Sequence, residues 1–294
     1  MEQRAVGVIG VGNMGGAMAL RLLELGWRVG VRDIDAEREA DCVRGGARAF
    51  ATPAALAAVH PVLIVAVVDA AESEAVLFGA AGVVQAERPA PACVLLCPTL
   101  GPASTEAIAA RLEGFGIDCI DAPMSGGPAR ARDGSMSLMV ACADAPFERH
   151  RALLEALSSQ LFRVGARPGD GARTKLVNNL LAAINLAGAA EAIALAERVG
   201  LDSARTLAVI ERSSGQSWIG SDRMRRAIAG DLAPRAHTTL LAKDSRLALE
   251  MATEAGFEAA LGQAAAQRFR EACAAGLGAL DDGSLLELLR KAGG

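Results

Sequence analysis

The sequence has few histidines, and its cysteines do not form metal-binding pairs. The three histidines, at positions 60, 150 and 237, are not spaced to share one helix face. The six cysteines stand at positions 42, 93, 97, 119, 142 and 273, and none belongs to a Cys-x-x-Cys pair. Zinc sites and disulfide frameworks depend on such clusters. We therefore expect no metal site, and we expect reduced thiols of the kind found in the cytoplasm.

The chain also lacks a block of basic residues and a long uninterrupted apolar run. Its formal net charge is −4, which argues against nucleic acid or an anionic membrane surface as a partner. The longest apolar stretch, from Leu180 to Ala196, is interrupted by Asn185 and Glu191, so we expect no membrane span. Because a strand pattern begins near Ala5, we also expect no signal peptide.

The sequence does contain enough apolar residues for two domains. Of its 294 residues, 52% are hydrophobic and 22% are charged, which is typical of a globular protein. Strands are predicted for AVGVIG (5–10), WRVGVR (27–32), VLIVAVV (62–68), CVLLC (93–97), GIDCID (116–121), SLMVA (137–141) and LFRVG (161–165). Helix-like stretches such as Gly16–Leu25 separate them. This alternation indicates a doubly wound sheet whose parallel strands are covered on both faces.

The pattern changes near residues 165–169. Beyond this point the sequence is rich in alanine, helical in its periodicity and nearly free of strand signals. We therefore predict an α/β protein with a doubly wound domain over residues 1–165 and an all-α domain over residues 166–294.

A glycine-rich turn follows the first strand, in the order Gly10-Val-Gly12-Asn13-Met14-Gly15. The motif is weak alone, but a strand precedes it and a helix begins near Met14, which is the context of a Rossmann dinucleotide site. There the three glycines permit the tight turn, the close approach of a pyrophosphate and the packing of helix on strand. The helix N-terminus offers N–H groups to the phosphates. A structural turn without a ligand is the alternative.

The end of the second strand favours NAD over NADP. Asp33 lies 21 residues after Gly12, where an acidic side chain hydrogen-bonds a ribose hydroxyl and repels a 2′-phosphate. Arg32 beside it is the opposing signal, since an arginine accommodates that phosphate.

A third polar feature opens the most apolar helix of the chain. Lys175 and Asn179 are four residues apart and share one face of the helix predicted from about Ala172 to Val199. Burial of an unpaired lysine is costly, so this face either meets water or lines a cleft. Both the helix N-terminus and partial burial would lower the pKa of Lys175, as a general base requires. An exposed polar first turn is the alternative.

Five segments together resemble the β-hydroxyacid dehydrogenase family. GDGARTKLVNN is similar to the catalytic-helix motif of that family, and DAPMSGG to its substrate loop. TTLLAKD and SSGQSW are similar to segments of 3-hydroxyisobutyrate dehydrogenases, and VVDAAESEAVLFG to L-threonate dehydrogenases. The resemblance covers the whole chain in the same order, and it implies an NAD-dependent oxidoreductase with a Rossmann domain and a helical domain.

The resemblance also implies roles for individual residues. Lys175 would be the acid/base and Asn179 would hold the substrate beside it. The substrate carboxylate would be bound by Ser125, Gly126 and Gly127, and Asp244 would lie nearby. Cofactor contacts would come from Gly10, Gly12, Asn13, Met14, Gly15, Asp33, Val67, Val68, Thr99 and Lys243. Family members pair through the helical domain, so a homodimer or homotetramer is expected.

Three departures from the family leave the substrate open. Pro98 replaces a serine, Val68 replaces the proline of a Leu-Pro pair, and Ala236 stands where 3-hydroxyisobutyrate dehydrogenases commonly carry phenylalanine. His237 could compensate, and Trp218 either walls the substrate cleft or belongs to the core.

We expect NAD-dependent oxidation of a short-chain hydroxy acid of the 3-hydroxyisobutyrate type. The alternatives are an L-threonate-type sugar-acid dehydrogenase and a reductase of a tartronate or succinic semialdehyde type of acid. A non-catalytic dinucleotide-binding protein is a further alternative from another class, and Lys175 counts against it.

Overall fold

The computed structural model describes residues 4–87 and 91–291. It divides into two compact units, Met1–Lys175 and Leu176–Gly294. The division falls inside a long helix, after the boundary expected from the sequence. Each unit contains a hydrophobic core of its own.

The first unit is built on a single sheet. Its described strands are β1 (Ala5–Ile9), β2 (Arg28–Arg32), β3 (Arg48–Ala49), β4 (Val62–Val65), β5 (Cys93–Leu96), β6 (Asp118–Asp121), β7 (Met124–Ser125), β8 (Ser137–Ala141) and β9 (Gln160–Gly165). All seven strands predicted from the sequence are confirmed. The two additional strands, β3 and β7, have only two residues each and are too short for a periodicity signal.

The order of strands in the sheet is β3-β2-β1-β4-β5-β6-β8-β7, with β9 beside β8. The pairs from β3 to β6 are parallel, whereas β8 runs antiparallel to β6 and β7. Along β4, Val62 and Ile64 enter one core while Leu63 and Val65 enter the other. Both faces of the sheet are therefore covered, which explains why its central strands are apolar throughout.

Seven described helices accompany the sheet: α1 (Asn13–Glu24), α2 (Ala36–Arg44), α3 (Pro53–Ala57), α4 (Ala70–Phe78), α5 (Pro102–Gly114), α6 (Gly127–Asp133) and α7 (Asp144–Leu157). Asp35, Thr52 and Asp69 cap α2, α3 and α4 by accepting backbone N–H groups. The loops after β1, β2, β4, β5 and β6 all leave the carboxyl ends of parallel strands, so they share one edge of the sheet, where ligands bind in such folds.

The second unit is helical over the residues that the structure describes. Helix α8 (Asp170–Arg198) enters it from the first unit, and α9 (Ser203–Ile210), α10 (Trp218–Ile228), α11 (Thr238–Glu254), α12 (Ala260–Ala272) and α13 (Leu285–Lys291) follow. Leu186, Ile193, Met224 and Phe269 lie in its core. The predicted fold class, a Rossmann-type α/β domain followed by an all-α domain, is confirmed.

Helix α8 is long and apolar enough to cross a membrane by length and composition alone. Its most apolar 18-residue window has a mean hydropathy of 1.5, and 44% of that window is buried inside the structure. A core helix of a soluble protein passes the same test, so this observation is weak evidence for a membrane.

Candidate active site

The glycine turn after β1 has the geometry of a dinucleotide site. Gly10 has a φ of +83°, which favours glycine. A Cβ on Gly15 would lie 1.9 Å from the carbonyl oxygen of Gly10, so only glycine fits where α1 packs on the turn. Gly12 is the N-cap of α1, and as a glycine it has no side chain to cap this helix end. The first turn of α1 therefore directs N–H groups and a positive dipole end outward, which fits a pyrophosphate.

Asp33, after β2, is tied to the glycine turn. Its Oδ2 accepts the N–H of Val11 at 2.6 Å, and its Oδ1 accepts the N–H of Asp35 at 2.9 Å. Each carboxylate oxygen has a second lone pair for a ligand hydroxyl. Glu39 accepts the N–H of Asp33 at 2.7 Å and the Arg32 Nη1 at 3.1 Å. Arg32, the residue that opposed the NAD assignment, is thus paired with a carboxylate.

Arg38 was missed by the sequence reasoning. A Cβ on Gly12 would lie 2.6 Å from the Arg38 Nη1, so the guanidinium lies over the second glycine of the turn. Its Nε is 3.3 Å from a carboxylate oxygen of Asp35. A cation on the first turn of α2, three residues after an acidic N-cap, is ordinary in helices, so its position did not indicate a ligand contact.

The loops after β4 and β5 hold the other predicted cofactor residues of the first unit. Val67 and Thr99 are half-buried, and Val68 is exposed. The N–H of Val68 donates to Glu72 Oε2 at 2.9 Å. The Glu72 side chain, on α4, therefore holds this loop in place although the family's proline is absent. Burial raises the pKa of Cys97 to about 12, so the thiol near Thr99 stays protonated and is a poor nucleophile.

The substrate-loop residues follow β6. Ser125 lies on β7 opposite Ser137, while Gly126 and Gly127 have φ values of +129° and +77°. Two successive positive φ angles require glycine. They turn the chain into α6, and all three residues are half-buried. The loop can therefore present a hydroxyl and backbone N–H groups to a carboxylate.

Lys175 and Asn179 lie on one face of α8, and each is 7% exposed. Asn178, which the sequence placed at the border of this face, is exposed. The Asn179 amide is held from both sides, because its Nδ2 donates to Asp244 Oδ2 at 2.6 Å and its Oδ1 accepts Asn178 Nδ2 at 3.0 Å. The polar face is therefore buried, and the alternative of an exposed first turn is wrong.

Asp244 and Lys243, on α11, complete a polar cluster in the helical unit. Asp244 is 8% exposed, and its Oδ1 is 3.1 Å from the Lys243 Nζ. The carboxylate thus contacts both an ammonium and the Asn179 amide. Buried charges are found where they are paired and hydrogen-bonded, as here.

The remaining candidates lie elsewhere in the helical unit. Trp218 begins α10 and is 48% exposed, so it does not belong to the core. His237 is the N-cap of α11, and its Nδ1 is 2.9 Å from the carbonyl oxygen of Ala279. Among residues 4–87 and 91–291, no group of three or more His, Cys, Asp or Glu side chains could hold a metal ion.

A glycine-rich turn at the start of a Rossmann domain and a buried lysine on a long helix are features of oxidoreductases that bind NAD or NADP. Residues 5–165 match the family described as the NAD binding domain of 6-phosphogluconate dehydrogenase. Residues 169–289 match the family described as NAD-binding of NADP-dependent 3-hydroxyisobutyrate dehydrogenase. The chain belongs to the 3-hydroxyisobutyrate dehydrogenase-like family of β-hydroxyacid dehydrogenases, and it is an enzyme of that class.

Individual relatives are similar over nearly the whole chain. L-threonate dehydrogenase of Escherichia coli (strain K12) is 35% identical over 96% of this chain and 94% of its own length. The crystal structure of 3-hydroxyisobutyrate dehydrogenase from Salmonella typhimurium has a TM-score of 0.90 and 32% identity, covering 97% of this chain and 99% of that one. Psf3 in complex with NADP+ and 2-OPP has a TM-score of 0.90 and 27% identity, with the same coverage.

Proposed function

We propose that the chain oxidises a short-chain hydroxy acid of the 3-hydroxyisobutyrate type, with NAD as the hydride acceptor and Lys175 as the acid/base. The buried polar face of α8 carries this proposal. A lysine that is 7% exposed and a hydrogen-bonded amide one turn later are costly to desolvate on so apolar a helix, which supports a role for them in the chemistry.

Bound NAD would supply the hydride acceptor, and the residues of the chain would do the rest. Gly10, Gly12, Asn13, Met14 and Gly15 would hold the pyrophosphate, and Asp33 would hold the ribose. Val67, Val68, Thr99 and Lys243 are the further cofactor contacts that we propose.

The substrate would be held at its carboxylate by Ser125, Gly126 and Gly127. Lys175 Nζ would take the proton of the substrate hydroxyl, and Asn179 would keep substrate and lysine in register. Asp244 supports this assignment because it fixes the orientation of the Asn179 amide.

L-Threonate is the second candidate substrate. Ala236 replaces the phenylalanine common in 3-hydroxyisobutyrate dehydrogenases, and its smaller side chain leaves room for further hydroxyl groups. The similarity to L-threonate dehydrogenases points the same way. Physiological reduction of a semialdehyde acid would use the same residues in reverse, with Lys175 as the proton donor.

We further propose that residues 1–165 form the cofactor domain and residues 166–294 the substrate and pairing domain of a cytoplasmic homodimer or homotetramer. Six free thiols support a reducing compartment. Val177, Leu181 and Leu195 on α8, and Val199 directly after it, are each more than half exposed and follow helical spacing, which supports pairing through this helix. Light scattering of Leu195→Glu beside the wild type tests this.

The central test compares three variants with NAD and a panel of hydroxy acids, followed by NADH absorbance. The panel contains 3-hydroxyisobutyrate, 3-hydroxypropionate, L-threonate, D-threonate, serine, glycerate and tartronate. Lys175→Ala and Lys175→Arg should each lower kcat by about 10²–10⁴-fold, because neither side chain can accept the proton. Lys291→Ala, at the exposed end of α13, is the matched control. Turnover by Lys175→Ala at the wild-type rate would refute the mechanism.

A further inference from the structure

One buried carboxylate has no part in the proposed chemistry. Asp121, the last residue of β6, is 2% exposed. Its Oδ2 accepts the N–H of Gly169 at 2.8 Å and the N–H of Ala172 at 3.0 Å. These donors lie immediately before and within the first turn of α8. The carboxylate therefore binds the start of the helix that carries Lys175.

This contact is an N-cap supplied from a distant part of the sequence. The first N–H groups of a helix have no intrahelical acceptor, and the usual acceptor is a side chain next to the helix. Here the acceptor is separated from its donors by 48 and 51 residues. The beginning of α8 is thereby fastened to the carboxyl end of a central strand. Lys175 lies three residues after Ala172, less than one helical turn away.

The two glycines of the GDG sequence, at positions 169 and 171, allow the backbone to lie close to this carboxylate. A Cβ on Gly171 would lie 2.8 Å from Asp121 Cγ and Oδ2 and 2.9 Å from Oδ1. Gly169 has a φ of +101°, which lets the chain turn so that its N–H meets the same oxygen. Glycine is required at 171 because the Asp121 carboxylate approaches the backbone so closely, and at 169 because of its positive φ and the nearby Glu106 side chain.

We propose that Asp121 is a positioning residue for Lys175, because its carboxylate fixes the first turn of α8 and hence the place of the proton-accepting amine. This inference rests on the proposed role of Lys175. It links the substrate-loop motif to the lysine-helix motif, since Asp121 opens the first and holds the start of the second.

The same carboxylate makes the arrangement sensitive to pH. Burial raises the pKa of Asp121 to about 6, although the N–H groups of Ala172, Gly169 and Gly171 act in the opposite direction. The titratable and charged groups around it are Asp170, Cys97, Cys119, Cys142 and the Glu106–Arg173 pair beside Gly169. Protonation weakens the bonds from the helix, so kcat should decline as the pH falls through about 6.

The test compares Asp121→Asn, Asp121→Ala and Gly171→Ala with Asp118→Asn as the matched control. Asp118 lies on the same strand, but its carboxylate is 39% exposed and pairs with Arg149. We expect Asp121→Ala to lower kcat by about 10–100-fold, the effect of a misplacement of about 1 Å. Asp121→Asn should lose less, because its amide oxygen still accepts N–H groups. The kcat of Asp118→Asn should stay within about twofold of the wild-type value, because surface substitutions of this kind usually have small effects.

Two readouts separate positioning from simple stability. The first readout is the rate divided by the number of NAD-binding sites, measured by fluorescence titration, so that unfolded protein is not counted. The KM for NAD should not change in any of the variants. The fall in kcat near pH 6 should be absent in Asp121→Asn. Gly171→Ala keeps the carboxylate but crowds it, so it should lower kcat per site, whereas an effect on stability alone leaves the rate per folded site unchanged.

Wild-type kcat per site in both Asp121→Asn and Gly171→Ala, with the step near pH 6 retained, would overturn the inference. Lys175→Ala, measured beside them, separates this failure from failure of the proposed function. If Lys175→Ala is inactive while the Asp121 and Gly171 variants are fully active, only the positioning role is wrong. If Lys175→Ala is active, the base assignment itself is wrong, and the positioning role falls with it.

Discussion

Replacement of Asp33 by serine should weaken the preference for NAD over NADP. Asp33 lies after β2 with one lone pair of each oxygen engaged by the N–H groups of Val11 and Asp35. The remaining lone pairs are the acceptors that we assign to the ribose hydroxyl. Serine keeps a small acceptor near Val11 but removes the charge.

The size of the change follows from two separate effects. Loss of a hydrogen bond to a charged acceptor should weaken the binding of NAD by about 1.5–3 kcal/mol. Removal of the negative charge of Asp33 should lower the electrostatic repulsion of a 2′-phosphate by about 1–2 kcal/mol, a modest value because Asp33 is half-exposed and partly screened. Together these effects lower the ratio of kcat/KM for NAD to that for NADP by about 10²–10⁴-fold.

The assay measures kcat/KM with both cofactors at one ionic strength, using the hydroxy acid that responds best. Asp41→Ser is the control, because Asp41 is an exposed residue of α2 that pairs with Arg44. An unchanged ratio in Asp33→Ser would refute the assignment of this carboxylate to the ribose. An equal loss with both cofactors would mean that Asp33 acts only by holding the glycine turn through Val11.

Three other perturbations test the fold and the charges inside it. Gly15→Ala should abolish cofactor binding and lower the free energy of unfolding by about 1–3 kcal/mol, as measured by NAD titration and denaturant unfolding, because its Cβ would overlap the Gly10 carbonyl oxygen. Arg223→Met should cost about 3–5 kcal/mol in the same unfolding assay, since it leaves the Asp282 carboxylate, 3% exposed, without its main cation. Asp121 has a folded-state pKa of about 6 against an ordinary 3.8, so its contribution to stability is fully present below about pH 4 and is lost as the pH rises through 6. Between about pH 4 and pH 6 the free energy of unfolding of the wild type should therefore fall by up to about 3 kcal/mol relative to that of Asp121→Asn. A difference between the two proteins that does not depend on pH would contradict this.

The strands of the first unit were predictable because burial on both faces leaves a continuous apolar signature. VLIVAVV and CVLLC are such segments, and their residues divide between the two cores. The reversal of direction at β8 was not predictable, since Ser137–Ala141 is as apolar as a parallel strand. Periodicity reports which faces are buried, but it carries no information on the direction of a neighbouring strand.

The polar residues of the site were partly predictable for a similar reason. Lys175 and Asn179 stand out against an apolar helix, and helical spacing alone places them on one face. Their burial, at 7% exposure each, was not predictable, because it depends on parts of the chain remote in sequence, as the contact of Asn179 with Asp244 shows. Arg38 and Glu39 gave no signal, since charged residues on a surface helix such as α2 are ordinary.

Burial of the Asp121 carboxylate at the start of α8 lowers the stability of the fold, and this cost bears on its purpose. At neutral pH the chain keeps this carboxylate ionised although burial raises its pKa to about 6, which costs about 3 kcal/mol of stability. A neutral acceptor such as asparagine would cap the same N–H groups without that penalty. Glycine at 169 and 171 adds a further cost in backbone entropy. Three residues that each lower stability meet at the start of one helix, and this helix carries the proposed base. Stability alone does not favour this combination, whereas accurate placement of Lys175 does, and the unfolding and kinetic measurements on Asp121→Asn should therefore change in opposite directions at pH 8.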